Sequence, residues 1–259
     1  MHNTFGTKHI ILLIISIVII VLAAFLSKKI KLKTFLKILL YVGIVSETIK
    51  IAYYTIQNEG VYGGYLPKSD LPFHLCSIQI LFIIILNVSK NEKLNRILLA
   101  FMLPSCLIGG AAALLLPTYT ARNGMWILTF QYFMYHIALI TFGIYLFIQK
   151  EVKWTIKDYF NTLKFILFIG FFAIYINSIC YDAVKYINES GEVVTELINR
   201  PNFMYVIDPP QSGLPFLNKN NGWGVYIIHY AFLCLFAISI CYIKPIINQL
   251  KKIVKNEVI

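Results

Sequence analysis

Ser69-Asp70-Leu71-Pro72-Phe73-His74-Leu75-Cys76-Ser77 is a helix start signal that runs straight into an apolar segment. Asp70 can cap free amides and Pro72 suits a first helical turn, which predicts a helix opening at Leu71. From Ile78 to Leu86 the one polar residue is Gln79, so His74 and Cys76 sit just inside the mouth of a membrane helix.

Outward from that stretch the same character persists. The chain of 259 residues is 58% apolar with a mean hydropathy of +0.71, and several apolar runs reach the roughly 20 residues that span a bilayer. This pattern implies an all-α, polytopic membrane protein, a single integral domain over residues 1–259 with its core in lipid. A net charge of +11 would point to nucleic acid in a soluble chain. Here the lysines lie in short loops between apolar runs, where they set orientation, and no nucleic-acid partner is expected. Cys76, Cys106, Cys180, Cys234 and Cys241 fall within or at the ends of apolar segments without paired spacings, which argues against a disulfide framework.

Taken in order, the spans are expected at about 10–26, 35–56, 71–87, 97–117, 125–148, 159–183 and 223–243, a seven-transmembrane-helix bundle. The first run has its positive flank, Lys28, Lys29, Lys31 and Lys33, behind it, which marks a retained anchor rather than a signal peptide. In the second, Glu47 and Lys50 stand at i and i+3, where the pair meets on one face and should point into the protein. A loop with Gly60, Gly63 and Gly64 leads to the third. Pro104 and Gly109-Gly110 in the fourth read as a kink and a close packing surface.

Charge gives the orientation independently. With the N-terminus outside and the C-terminus cytoplasmic, the inner side holds Lys28, Lys29, Lys31, Lys33, Lys37, Lys90, Lys93, Arg96, Lys150, Lys153, Lys157, Lys164, Lys244, Lys251, Lys252 and Lys255. The outer side holds Lys8, Lys68, Arg122, Lys185, Arg200 and Lys219, a division of 16 to 6. Loop 184–222 is then external, and its first half is expected to lack regular structure.

Alternating spans bring polar residues to one depth in the outer half of the membrane. His74, Cys76 and Gln79 open the third span, Gln131, Tyr132 and His136 begin the fifth, and Tyr226 and His229 open the seventh. Asn177 and Ser178 end the sixth, Glu47 and Lys50 lie mid to late in the second, and together these imply an internal polar cavity opening outward. On an ideal helix His74 and Cys76 point apart, so a base for Cys76 should come from another helix. His136, on a stripe with Thr129 and Tyr132, can make a thiolate-imidazolium pair with it. The plainer alternatives are a cysteine acting as a small apolar side chain and histidines acting as hydrogen-bonded helix contacts. A zinc site from His74, Cys76, His136 and His229 has no recognised ligand spacing, so neither metal nor other cofactor is expected.

Leu71-Pro72-Phe73-His74-Leu75-Cys76 resembles the Leu-Pro-x-His-Leu-Cys signature of the YwaF-like integral membrane family, related to the transmembrane protein 164 acyltransferases. Two further matches follow in the family's order: Tyr135-His136, then Asn202-Phe203-Met204-Tyr205 with Pro209, Gly222-Trp223 and Tyr226-Ile227. The chain departs from the pattern at Asp208-Pro209-Pro210 and Gly222-Trp223-Gly224. The resemblance implies a membrane-embedded lipid acyltransferase in which Cys76 carries an acyl chain from a membrane phospholipid as a thioester. His136 would be the base, with His74, Asn202 and Tyr205 orienting it or donating to the oxyanion; Gln79, Tyr132 and His229, from the polar depth described above, are expected to bind or support. A lysine-, isoleucine- and asparagine-rich composition suggests an AT-rich genome and hence a bacterial plasma membrane. The alternative function is a small-solute transporter or capture protein without covalent chemistry, which would tolerate Cys76→Ser.

The orientation is checked by impermeant thiol labelling of Gly191→Cys and Asn256→Cys in intact cells. The first should react and the second should react after the membrane is opened; the reverse pattern overturns the topology.

Overall fold

In a computed structural model of the chain, residues 5–57, 66–117, 126–149, 152–188, 190–198, 201–210 and 217–257 are described. The glycine loop at 60–64, Arg122, Lys150 and Arg200, all used above, lie outside the described residues.

The chain is mostly helical. Its elements are α1 (Thr7–Ser27), α2 (Leu32–Gln57), α3 (Leu75–Val88), α4 (Glu92–Pro104), a π-helical turn (Ser105–Gly109), α5 (Gly110–Leu115), α6 (Trp126–Ile148), α7 (Ile156–Ile179), strands β1 (Asp182–Ile187) and β2 (Val193–Ile198), α8 (Trp223–Cys241) and α9 (Ile243–Glu257). Five of these, with α4 to α5 taken as one, are long and apolar enough to cross a membrane: α1, Glu92–Leu115, α6, α7 and α8. The other two expected spans fall short for different reasons. α2 has the length, 26 residues, but carries Lys33, Lys37, Glu47 and Lys50. α3 is apolar but has 14 residues, because it opens at Leu75 rather than at Leu71.

That late start corrects the helix signal. Asp70 closes a short 3-10 turn (Lys68–Asp70), Pro72 lies outside any helix, and His74 takes the N-cap position in extended conformation (φ −68°, ψ 153°). A further correction concerns the long loop. The sixth expected span, α7, ends at Ile179, and the segment expected to be irregular is an antiparallel hairpin in which Asp182 faces Ile198 and Ile187 faces Val193. Its strands, Asp-Ala-Val-Lys-Tyr-Ile and Val-Val-Thr-Glu-Leu-Ile, are rich in β-branched residues. Gly191 (φ +80°) supplies the left-handed residue the turn needs. The tail after Lys244 is helical, as α9.

Where a kink is expected, Pro104 is followed by the π-helical turn. Proline has no amide to donate to Ala100, and in lipid no water can replace it. The Tyr242 hydroxyl, between α8 and α9, donates to the Ala100 carbonyl at 2.8 Å and accepts from Thr162 of α7 at 3.2 Å. The π turn that follows brings Leu107 against α6, where a Cβ on Gly143 would lie 2.6 Å from the Leu107 nitrogen. Just before this turn Phe82, Phe101 and Phe165 pack with ring centroids 4.9 to 5.8 Å apart.

Helix ends join in two sets. At one end Arg96 of α4 makes a two-pronged bond to the buried Asp158 of α7 (2.7 and 2.8 Å), which also completes the Thr155 capping box. At that end, too, Tyr145 donates to Ile30 and Asn87 to Ile83 and Leu36. The other end gathers the starts of α1, α3, α6 and α8 with the finishes of α2, α5 and α7. There His9 receives the Phe5 amide at Nδ1, so its Nε2–H donates to the Leu114 carbonyl at the close of α5.

Gly143→Ala should lower stability by about 1–3 kcal/mol through forced separation of α6 from the π turn. Gly170→Ala, where a Cβ meets nothing within 4 Å, should leave it unchanged. Tyr242→Phe strands the Ala100 carbonyl and should cost about 1–3 kcal/mol. Thermal unfolding in detergent measures all three, and equal midpoints for the two glycine variants would contradict the packing described.

Candidate functional site

The site is built on the first turn of α3. With His74 as N-cap, Leu75, Cys76 and Ser77 are its first three residues, and the His74 side chain caps none of their amides. Cys76 therefore lies within the first turn, where the positive end of the helix acts on it most strongly, and not beyond that turn as the sequence implied. His74 is not helical, so the argument that His74 and Cys76 point apart on one helix no longer applies. Its Nε2 faces the Ser69 carbonyl at 3.1 Å and donates to it, which leaves Nδ1 as the acceptor of a neutral ring.

Three separated stretches converge here. Tyr135 of α6 donates its hydroxyl to the Cys76 carbonyl at 2.9 Å. Next to it, His136 is buried, and its Nδ1–H donates to the Tyr132 carbonyl at 2.7 Å. Nε2 then carries the lone pair, and it has no hydrogen-bond partner among the described residues. The Tyr132 ring lies 4.1 Å from the His136 ring, as their shared stripe predicts, and its hydroxyl anchors to Ala113 of α5. The break after Pro104 ties the two sides together: a Cβ on Gly109 would meet Leu75, and one on Gly110 would lie 3.6 Å from the His136 carbonyl. Among the described residues no hydrogen bond joins Cys76 Sγ to His136 or to His74.

The third stretch is residues 201–208. Phe203 sets its ring against His74 (5.1 Å) and Phe73 (5.4 Å), and its backbone is held at both polar atoms by Asn177 of α7. Met204 and Tyr205 both adopt positive φ (57° and 53°), a strained turn for L residues. It is held by α8, where Tyr230 donates to the Met204 carbonyl, Tyr226 to that of Tyr205 and Trp223 to that of Val206. Asn202 is engaged within its own loop, donating to the Asp208 carbonyl at 2.7 Å and accepting the Ile207 and Asp208 amides at 3.2 Å. Its geometry is that of a residue that shapes the loop, not of one offered to a substrate.

Other expected residues divide clearly. Gln79 is buried, donates to Ser105 at the π turn (2.9 Å), and leaves its Oε1 without a partner. His229 is exposed on the outer face of α8, away from this convergence, so the polar depth inferred from sequence does not bring it inside. Glu47 and Lys50 do pair (2.8 Å), and Ser77 donates to Glu47 at 3.0 Å, so the charge pair adjoins the first turn of α3. Sequence reasoning paired these two and set them at the polar depth but named neither them nor Tyr135 as site residues, although Tyr135 adjoins His136 in the matched element. Just outside the helix, burial raises the Asp70 carboxyl above its ordinary value, with Lys50 opposing.

The fold and this convergence define a polytopic α-helical membrane protein with a polar cluster at one end of its bundle. The model of the TMEM164 family matches residues 4–242, and the chain belongs to that family. No curated protein and no solved structure matches it.

Asn202→Ala should free the Ile207 and Asp208 amides. Hydrogen exchange in detergent should quicken at those two positions and leave α3 unchanged; unchanged protection would show that the loop does not depend on Asn202.

Proposed function

We propose that the chain is a membrane-embedded acyltransferase in which Cys76 is the nucleophile and His136 the base. The observation that carries this is the convergence itself: Leu71–Cys76, Tyr135-His136 and Asn202–Tyr205 are far apart in sequence and meet at the start of α3 through Tyr135 and Phe203.

Nε2 of His136 takes the thiol proton of Cys76, and the thiolate attacks the ester carbonyl of a phospholipid. A carbon–sulfur bond forms, the ester carbon–oxygen bond breaks, and the lyso-lipid oxygen leaves with the proton from His136. In the second half an acceptor hydroxyl gives its proton to His136 and attacks the thioester, and the thiolate departs. The amides of the first turn of α3 can stabilise the oxyanion in both steps. Tyr132 and Tyr135 orient the base and the backbone of the nucleophile.

The membrane arrangement proposed with this chemistry has seven spans, with α2 and the short α3 crossing beside the five apolar helices, the N-terminus outside and the C-terminus cytoplasmic. The pairing of helix ends supports it. Arg96 with Asp158 joins the starts of two helices that run the same way, and His9 with Leu114 joins a start to a finish, as strict alternation requires. The positive-inside division supports the orientation and is consistent with a bacterial plasma membrane.

Lipid analysis of a deletion strain complemented in turn by wild type, Cys76→Ser, His136→Ala and His229→Ala tests the proposal. Wild type and His229→Ala should restore the same acyl distribution, and the other two should not. Restoration by Cys76→Ser removes the acyl-enzyme and favours transport, and equal tolerance of both histidine changes removes the Cys-His pair.

A further inference from the structure

The C-terminal helix has a surface that the bundle does not use. α9 (Ile243–Glu257) begins two residues after α8 ends, turned out of line at Tyr242 (φ −106°, ψ 16°), whose hydroxyl is fixed by Ala100 and Thr162. At about 100° per residue, Ile243, Ile246, Ile247, Leu250, Ile253 and Val254 fall in one arc of about 120°. Lys244, Lys251 and Lys252 lie on the other side. Ile246 packs against the core beside α7 and α8. Ile243, Ile247, Leu250, Ile253 and Val254 remain 42–60% exposed.

An apolar stripe this wide continues directly from a membrane-crossing helix, so it lies where the acyl region meets the headgroups. The lysines decide which lipid fits. They sit at the end where Lys153 and Lys157 are also exposed, beside the start of α7, and Arg96 and Asp158 at that end neutralise each other. We propose that α9 is an interfacial helix that docks on the anionic headgroups of the leaflet at this end, its apolar face in the acyl boundary and its lysines on phosphate. A second copy of the chain is disfavoured as occupant because it brings the same net charge of +11 and the same lysine row.

The test uses the full chain in nanodiscs of equimolar phosphatidylglycerol and phosphatidylcholine, with a benzophenone amino acid in place of Leu250. On illumination the expected product is a lipid adduct in which phosphatidylglycerol is enriched about fivefold over bulk, the weight of one lysine near an anionic surface. Lys251→Glu with Lys252→Glu should return the ratio to bulk while the thermal midpoint stays unchanged. A protein–protein adduct at position 250, lipid adducts without enrichment, or enrichment that survives the double substitution would each overturn the proposal. The outcome does not depend on any acyl-transfer activity.

Discussion

A proline amide that does not exist shapes the arrangement of this bundle. In hydrocarbon each backbone carbonyl must find a donor within the protein, and Pro104 leaves Ala100 without its usual one. Tyr242 supplies the donor from the far end of the chain, so α4, α7 and the α8–α9 junction are held at one point. The π turn that follows re-aims the rest of the helix. Leu107 then rests on Gly143, Gly109 meets Leu75 and Gly110 meets the His136 backbone. The positions of the thiol and of the imidazole are thus both set by one break in one helix.

Polar groups elsewhere follow the same economy. Buried hydroxyls and imidazoles mostly serve helix ends and breaks: His9 closes α5, Tyr145 reaches Ile30, and three side chains of α8 donate to the strained turn at Met204-Tyr205. His136 differs in leaving one ring nitrogen with a lone pair and no described partner. Gln79 and, in the first turn of α4, Asn95 differ in leaving an acceptor unpaired among the described residues. His136 and Gln79 lie beside the π turn, and unpaired polarity in a membrane interior is where function concentrates.

Much of this was legible in the sequence. The apolar runs located the helices, Pro104 with Gly109-Gly110 announced the break, Glu47 and Lys50 paired as their spacing required, and Tyr132 and His136 shared a face. What failed had physical reasons. Asp70 and Pro72 read as a helix start, but His74 holds extended conformation and its ring binds Ser69, which delays α3 to Leu75. The hairpin was overlooked because polar turn residues masked two β-branched strands. His229 shares a depth with the other polar residues, and depth along a helix does not tell which way its face turns. The meeting of Phe203 with His74 and of Tyr135 with Cys76 is tertiary, and no local pattern carries it.

The central claim is that Cys76 carries the acyl chain. Intact and peptide mass measurement of purified protein incubated with phospholipid tests it most directly. The account predicts an added acyl mass on the peptide containing Cys76, removed by neutral hydroxylamine and absent from His136→Ala. An adduct that never forms with any phospholipid donor, in protein whose Cys76→Ser variant keeps full activity in cells, would contradict it.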